Sequence, residues 1–97
     1  MNLQILEAAQ AELEQATDYY LVHATPRIAL AFVDAYEHGL RRLLNHPKIG
    51  TTVTERHRQL PLRNFPYSII YRLTDESIFI DALAHQRRFP GYWQEKR

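Results

Sequence analysis

The first half of the chain carries two stretches in which apolar or small residues recur every three or four positions, the spacing of one helix face. Polar residues fall largely at the other positions, so each stretch predicts an amphipathic helix. In the first stretch, residues 7–24, the apolar stripe consists of Ala9, Leu13, Ala16, Tyr20 and Ala24. In the second stretch, residues 26–45, the stripe consists of Ile28, Phe32, Ala35, Gly39, Leu40 and Leu43.

Prolines mark both ends of the second helix. Thr25 is a residue type that caps helix N-termini, and Pro26 follows at the first helical position, where its missing N–H costs nothing. Asn45-His46-Pro47 ends the helix because the residue before a proline avoids the helical region. With almost no linker between them, the two helices are predicted to pack as an antiparallel hairpin.

The second half of the chain has strand-like runs rich in β-branched and aromatic residues. Residues 66–73 and 77–83 are the clearest, and the turn at 74–76 between them predicts an antiparallel pair. Residues 58–62 form a weaker strand, since Pro61 restricts it to an edge or an irregular end. A short strand is predicted at residues 2–6 and a loop at 47–56.

This order of elements predicts an α+β fold: a short N-terminal strand, an antiparallel helical hairpin, and then a three-stranded antiparallel sheet against which the hairpin packs. A chain of 97 residues has the length of one domain, so we expect a single domain over residues 1–97. With 45% hydrophobic and 24% charged residues, the composition is that of an ordinary globular protein and excludes disordered and fibrous classes.

Composition also removes several kinds of site. The chain has no cysteine, which excludes disulfides and thiolate metal sites, and its five histidines lack a close ligand spacing, so no metal and no cofactor is predicted. No stretch approaches the roughly 20 apolar residues of a membrane span, and the N-terminus has no signal-peptide pattern, so we expect a cytoplasmic protein with no membrane partner.

The net charge of +1 is unevenly distributed along the sequence. Residues 1–46 hold three Lys or Arg against six Asp or Glu, whereas residues 47–97 hold nine against five. The second half of the chain is therefore the predicted face for an anionic partner.

Three local patterns, together with this organisation, resemble the RelE/ParE superfamily of toxins. They are AELEQATDYY at 11–20, RNFPYSIIYR at 63–72, and AHQRRFPGYW at 84–93. The resemblance covers essentially the whole chain and implies the toxin of a type II toxin–antitoxin, or plasmid stabilisation, system. It further implies a complex with a cognate antitoxin whose C-terminal segment wraps the toxin.

The resemblance leaves two activities open, because RelE-like members cut messenger RNA on the ribosome and ParE-like members inhibit DNA gyrase. Ser68 stands where RelE-like members carry an arginine, and residues 58–62 replace their lysine-rich stretch, so two cations expected of a nuclease are missing. This favours the ParE branch and a protein that is not an enzyme. The alternative is a metal-independent nuclease that uses His85, Arg87 and Tyr92.

Two sets of binding residues are predicted. The candidates for contact with gyrase are arginines and aromatic anchors, residue types that dominate interface energetics: Arg56, Arg58, Arg63, Arg87, Arg88, Tyr92 and Trp93. The candidates for the antitoxin are apolar residues off the main helical stripes: Tyr19, Leu21, Val22, Leu30, Val33 and Tyr36.

Plainer roles stand beside these. His85 and the arginines at 87 and 88 could pair with carboxylates such as Asp81, and Trp93 could close the open end of the sheet. A family member that binds its antitoxin but has lost toxicity is a further alternative.

Overall fold

The computed structural model describes residues 1–87 and 91–94. The elements in chain order are β1 (Asn2–Ile5), α1 (Glu7–His23), α2 (Pro26–Asn45), β2 (Thr51–Thr52), β3 (Arg58–Pro61), β4 (Tyr67–Leu73), β5 (Ser77–His85) and a 3₁₀ turn (Tyr92–Gln94). Within these residues no helix is both long enough and apolar enough to span a membrane.

The predicted helical hairpin is confirmed, and α1 and α2 pack against each other. The Thr25 hydroxyl oxygen accepts a hydrogen bond of 3.1 Å from the Ile28 N–H, and Pro26 opens α2 as predicted. Leu6 precedes α1 without a side-chain cap, and its N–H donates to the Ile80 carbonyl instead, which anchors the start of α1 to the sheet.

The sheet has five strands in the order β1-β5-β4-β3-β2, so the prediction of three is corrected. The predicted N-terminal strand does not stand apart, because β1 pairs with β5 in parallel. The predicted loop contains β2, which pairs with residues 58 and 59 of β3. The predicted antiparallel pairing of the last two strands is confirmed.

The helical hairpin covers one face of this sheet and builds the main core with it. Gly39 of α2 lets the helix approach β4 closely, since a Cβ there would lie 2.9 Å from Ile69 Cδ1. The largest fully buried side chains of this core are Phe32, Leu43, Ile69, Tyr71, Ile78, Ile80 and Leu83.

A β-bulge interrupts the β4–β5 pairing at Asp81. Ile70 pairs with Ala82 and Tyr71 pairs with Ile80, which leaves Asp81 without a partner on β4. Ile80 and Leu83 belong to the hairpin-side core, so the bulge leaves two consecutive residues, Asp81 and Ala82, on the opposite face of the sheet. The buried carboxylate of Asp81 points to the sheet face opposite the hairpin, where it meets the side chains of Arg72 and His57.

Candidate functional site

The sheet face opposite the hairpin holds a cavity of about 500 Å³. Residues that alternate with the core residues of β4 and β5, Ser68, Ile70 and Ala84, form its floor. Gln59 and Pro61 of β3 line one side, and the 3₁₀ turn lines another. Ser68, which stands where a nuclease of the superfamily has an arginine, is buried in this lining and supplies no charge.

A buried ion cluster lies beside the cavity, built on the bulge at Asp81. Arg72 Nε donates to Asp81 Oδ2 over 2.6 Å, and Arg72 Nη2 donates to Oδ1 over 3.0 Å, so the pair is bidentate. His57 Nε2 lies 3.1 Å from the same Oδ2. The hydrogen bond to Asp81 raises the pKa of Arg72, which therefore keeps its charge.

The hydrogen bonds around His57 define its tautomer. The Thr54 hydroxyl oxygen accepts from the backbone N–H groups of Arg56 and His57, which occupies both of its lone pairs. Its proton is then free to point only at His57 Nδ1, 2.9 Å away. Nε2 consequently carries the imidazole proton and donates it to Asp81.

The Thr54, His57 and Asp81 side chains resemble a catalytic triad in composition but not in function. A nucleophilic hydroxyl gives its proton to the histidine nitrogen opposite the carboxylate and needs a free lone pair to attack. Both Thr54 lone pairs are taken by the backbone. Among residues 1–87 and 91–94 there is also no group of three His, Cys, Asp or Glu that could hold a metal ion. We assign the cluster a structural role.

The 3₁₀ turn closes this side of the molecule with two aromatic rings. Trp93 packs on His57 with ring centroids 4.4 Å apart, and the Tyr92 hydroxyl donates to the Glu12 carboxylate on α1. Tyr92 and Trp93 are only 5% and 6% exposed. Both rings are already buried within the chain, so their proposed use as anchors for a target stays a prediction that would require them to become exposed. The plainer alternative, that Trp93 closes the sheet, describes what is observed.

The candidate nuclease residues lie near one another but are individually engaged. The Arg87 backbone N–H donates to His85 Nδ1 over 2.9 Å, and the His85 ring packs edge-on against Tyr67. Tyr92 lines the same cavity as His85, yet its hydroxyl donates a hydrogen bond to the Glu12 carboxylate. Asp81 binds Arg72 and His57. The alternative pairing of Asp81 with the residues after β5 stays a prediction, since Arg88 lies outside the described residues.

The candidate arginines are spread over the sheet side of the chain. Arg56 lies exposed in the turn between β2 and β3, and Arg63 lies exposed before β4. Arg58 is half-buried, and its Nη1 donates to the carbonyls of residues 48 and 50. Arg87 is exposed just after β5, whereas Arg88 lies outside the described residues.

The candidate antitoxin residues cluster at the tip of the hairpin, with one exception. Val22 and Leu30 are 75% and 67% exposed, Tyr19 and Leu21 are also exposed, and Val33 is half-buried. Tyr36 is only 3% exposed, so it is not one of the candidates that the structure leaves exposed. The predicted stripe of α2 is confirmed at Phe32, Gly39 and Leu43, while Ala29 and Tyr36 are the other two buried residues of the helix.

Three features of the site were not predicted from the sequence: the hydrogen bond between Tyr92 and Glu12, the role of His57, and the partners of Asp81. An acidic residue inside the otherwise apolar run 78–83 was the one available signal, because a carboxylate buried in a strand needs a partner. Nothing in the local sequence marks Glu12 or His57, since their partners lie far away along the chain.

Comparison with known proteins identifies the family. The family model described as the ParE toxin of the type II toxin–antitoxin system parDE matches residues 3–90. The chain belongs to the ParE toxin family. Toxin ParE2 from Mycobacterium tuberculosis, in the CDC 1551 / Oshkosh and H37Rv strains, is 31% identical over 94 residues, covering 93% of this chain and 86% of the relative.

A solved structure described as the chromosomal ParDE TA system from P. aeruginosa has the same architecture. Its chain superposes with a TM-score of 0.77 at 25% identity, and the match covers 88% of this chain and 95% of that chain. The resemblance inferred from the three sequence patterns is thereby confirmed at the level of the ParE branch. This ParE chain is the toxin type of a type II toxin–antitoxin module, and the family implies an antitoxin as its partner.

Proposed function

We propose that this ParE toxin arrests growth by inhibiting DNA gyrase, through binding and not through cleavage of RNA. The family assignment supports this activity, since gyrase inhibition is what the ParE-like branch does. The observation that carries the proposal is that the alternative nuclease site lacks a cation and has its tyrosine hydroxyl engaged. Ser68 gives its strand no cation, and the Tyr92 hydroxyl is held by Glu12 inside the chain.

Chemistry explains why these two residues weigh against cleavage. An RNA-cleaving site without a metal needs a base, a proton donor for the leaving oxygen and cations that stabilise the charged phosphorane. A tyrosine that is buried and hydrogen-bonded to a carboxylate would have to leave Glu12 before it reached a substrate. The same burial does not hinder a protein that acts by binding, because binding uses the exposed surface.

A supercoiling assay with purified gyrase tests the proposal. We expect the toxin to block supercoiling, and induction in bacteria to cause filamentation and a DNA damage response. Incubation with translating ribosomes is the matched counter-test, with Arg87→Ala as the variant. Unimpaired supercoiling at excess toxin, or messenger RNA cuts that Arg87→Ala abolishes, would overturn the proposal. Normal growth after induction would instead identify an inert antitoxin-binding protein.

We further propose that the antitoxin docks on the tip of the hairpin and continues along the sheet. The tip, defined by Tyr19, Leu21, Val22 and Leu30, exposes large apolar side chains on both helices close in sequence to the turn that joins them. Large exposed apolar residues grouped in this way are typical of a surface that a partner covers. An amphipathic helix fits such a surface, and an unpaired sheet edge such as β1 or β2 can accept an extended segment.

Leu30→Asp and Val22→Asp test the docking surface in cells. Both positions are exposed, so we expect the variants to fold, to remain toxic and to escape neutralisation by the co-expressed antitoxin. Leu44→Asp is the matched control, because Leu44 is an exposed apolar residue at the opposite end of α2. If the antitoxin neutralises the tip variants as well as it neutralises the control, the hairpin tip is not the docking surface.

A further inference from the structure

A cavity of about 420 Å³ at the β2–β3 end of the sheet is lined by cationic side chains from three separate segments. Lys48 comes from the loop after α2, Arg56 and Arg58 come from the β2–β3 hairpin, and Arg72 comes from β4. The hydroxyl-bearing residues Thr52 and Thr74 complete the polar lining. We call this set of residues the basic cleft.

Two of the four cations in the basic cleft are held in place before any ligand binds. The Nη1 group of Arg58 donates to the backbone carbonyls of Lys48 and Gly50 over 3.1 and 2.9 Å. Arg72 is fixed by its bidentate pair with Asp81 and lies over the Phe79 ring, 4.9 Å from its centroid. Donors that are already ordered lose little side-chain entropy when they bind an anion.

The charge of the basic cleft is only partly neutralised by the protein. Among the described residues that line the cleft, Glu55 is the one carboxylate against four cations, and Asp81 binds one of these cations, Arg72. Across residues 1–87 and 91–94, Lys48, Arg56 and Arg58 make no ion pair. Positive charge in excess, concentrated in one concave surface, attracts an anion.

The lining indicates a phosphate as part of a polymer backbone. Guanidinium, ammonium and hydroxyl donors that converge from three directions suit the several acceptor oxygens of a phosphate better than the two of a carboxylate. Base recognition by stacking needs an exposed aromatic face. No Phe, Tyr or Trp among the described residues lines the basic cleft, and Trp93 packs on the His57 ring.

From these observations we infer that the basic cleft binds the phosphodiester backbone of a nucleic acid without reading its bases. The inference rests on the proposed function, in that gyrase works on DNA and an inhibitor with its own DNA contact would be held at the complex of enzyme and DNA. The cleft lies on the sheet and the antitoxin surface lies at the hairpin tip, so the two contacts use different parts of the chain.

Fluorescence anisotropy with the purified chain and a labelled duplex of mixed sequence tests this inference without gyrase. Arg56→Gln and Lys48→Gln each remove one exposed cation, and we expect each to weaken binding roughly five- to tenfold at about 0.1 M salt. Each should also lower the slope of log affinity against log salt by about 1. Arg41→Gln, on the exposed surface of α2, removes the same charge away from the cleft and should change neither.

Each outcome decides the inference. A single-stranded RNA that binds with the same variant pattern identifies RNA as the source of the phosphodiester. Equal weakening by Arg41→Gln, no binding to either nucleic acid, or equally tight binding of poly-L-glutamate overturns the inference. Gyrase inhibition that survives loss of DNA binding in the cleft variants would overturn the link between DNA binding and inhibition, while leaving the proposed function intact. DNA binding with the expected variant pattern but no gyrase inhibition would overturn the proposed function and leave the inference about the cleft intact.

Discussion

Tyr92 donates its hydroxyl hydrogen bond to Glu12, a residue 80 positions earlier in the chain. The other carboxylate oxygen of Glu12 accepts from the Leu83 backbone N–H over 3.1 Å. Leu83 lies on the part of β5 beyond the end of its pairing with β1, where the strand would otherwise present an unpaired edge. One side chain of α1 therefore covers a sheet edge and fixes the C-terminal 3₁₀ turn.

Tyr92→Phe should loosen the 3₁₀ turn. It removes the hydrogen bond to Glu12 and leaves that carboxylate short of a donor, so we expect a loss of about 1–3 kcal/mol in unfolding free energy. The chain has a single tryptophan, Trp93, next to the substituted residue, so its fluorescence should shift to the red and become easier to quench. Tyr36→Phe is the matched control for Trp93 emission, since Tyr36 belongs to the core on the hairpin side of the sheet and Trp93 belongs to the cluster on the other side. Unchanged Trp93 emission in Tyr92→Phe would contradict the expectation.

Tyr36→Phe should have the opposite sign and stabilise the protein. Across the described residues, the Tyr36 hydroxyl is a buried polar group with no hydrogen-bond partner. An unpartnered buried group of this kind costs about 1–3 kcal/mol, and phenylalanine fills almost the same volume without it. Urea denaturation at neutral pH should give a higher midpoint for the variant. A lower midpoint would mean that the hydroxyl is satisfied in solution.

The same residue makes stability depend on alkaline pH. Burial raises the pKa of Tyr36 to about 12 from its ordinary value of 10.0. Since the unfolded chain ionises first, the contribution of Tyr36 is fully present below pH 10 and is lost as the pH rises towards 12. The stability difference between Tyr36→Phe and the parent chain should grow by about 1.4 kcal/mol up to pH 11. A difference that stays constant with pH would contradict this.

Local signals account for the parts of the fold that the sequence predicted. Thr25-Pro26 marks the hairpin and the turn at 74–76 marks the β4–β5 pair, because each depends on neighbouring residues. The parallel pairing of β1 with β5 joins residues about 75 positions apart and has no local signal. The predicted α2 stripe included Phe32, Gly39 and Leu43 but not Tyr36, because apolar residues also occupy adjacent positions along that helix and the pattern does not rank them.

The candidate site was less predictable than the fold for the same reason. The cationic and aromatic residues could be named from their types, but their partners depend on tertiary contacts. Alternation with Ile78 and Ile80 places the Asp81 carboxylate on the face opposite the hairpin, but no local pattern identifies Arg72 and His57 as its partners there. Burial of Tyr92 and Trp93 likewise depends on the distant residues Glu12 and His57.

Tyr71→Phe should destabilise the loop that follows α2. The Tyr71 hydroxyl accepts from the Gly50 N–H and donates to the Pro47 carbonyl, both over 2.8 Å, so it holds both ends of a short segment. Loss of both bonds leaves a buried backbone N–H unpaired, and we expect a cost of about 1–3 kcal/mol by urea denaturation. Tyr36→Phe is its control, because it removes the same atom from a tyrosine whose hydroxyl has no hydrogen-bond partner among the described residues. Equal effects of the two variants would contradict the assigned role of Tyr71.

Gly50→Ala should be more damaging than Gly39→Ala. A Cβ at Gly50 would lie 2.6 Å from the Tyr71 hydroxyl and 2.7 Å from the Gln59 carbonyl, and the backbone of β3 cannot move aside cheaply. At Gly39 the close neighbour is the Ile69 Cδ1 atom, the end of a side chain that can shift. Alanine also favours a helix over glycine by about 1 kcal/mol, which offsets part of the strain in α2. Thermal unfolding should give a lower midpoint temperature for Gly50→Ala than for Gly39→Ala.

Asp81→Asn tests whether the ion cluster stabilises the sheet through charge. The amide keeps one acceptor oxygen, but its NH₂ group would face a donor of Arg72 or His57, and Arg72 would lose its counter-ion. The Arg72 side chain is 20% exposed and water can solvate part of its charge, so we expect a loss of about 1.5–3 kcal/mol in unfolding free energy. A double-mutant cycle with Arg72→Gln isolates the pair, because contacting residues give non-additive effects. The double variant should lose less unfolding free energy than the two single variants lose together. Strictly additive losses would mean that the two side chains do not stabilise each other.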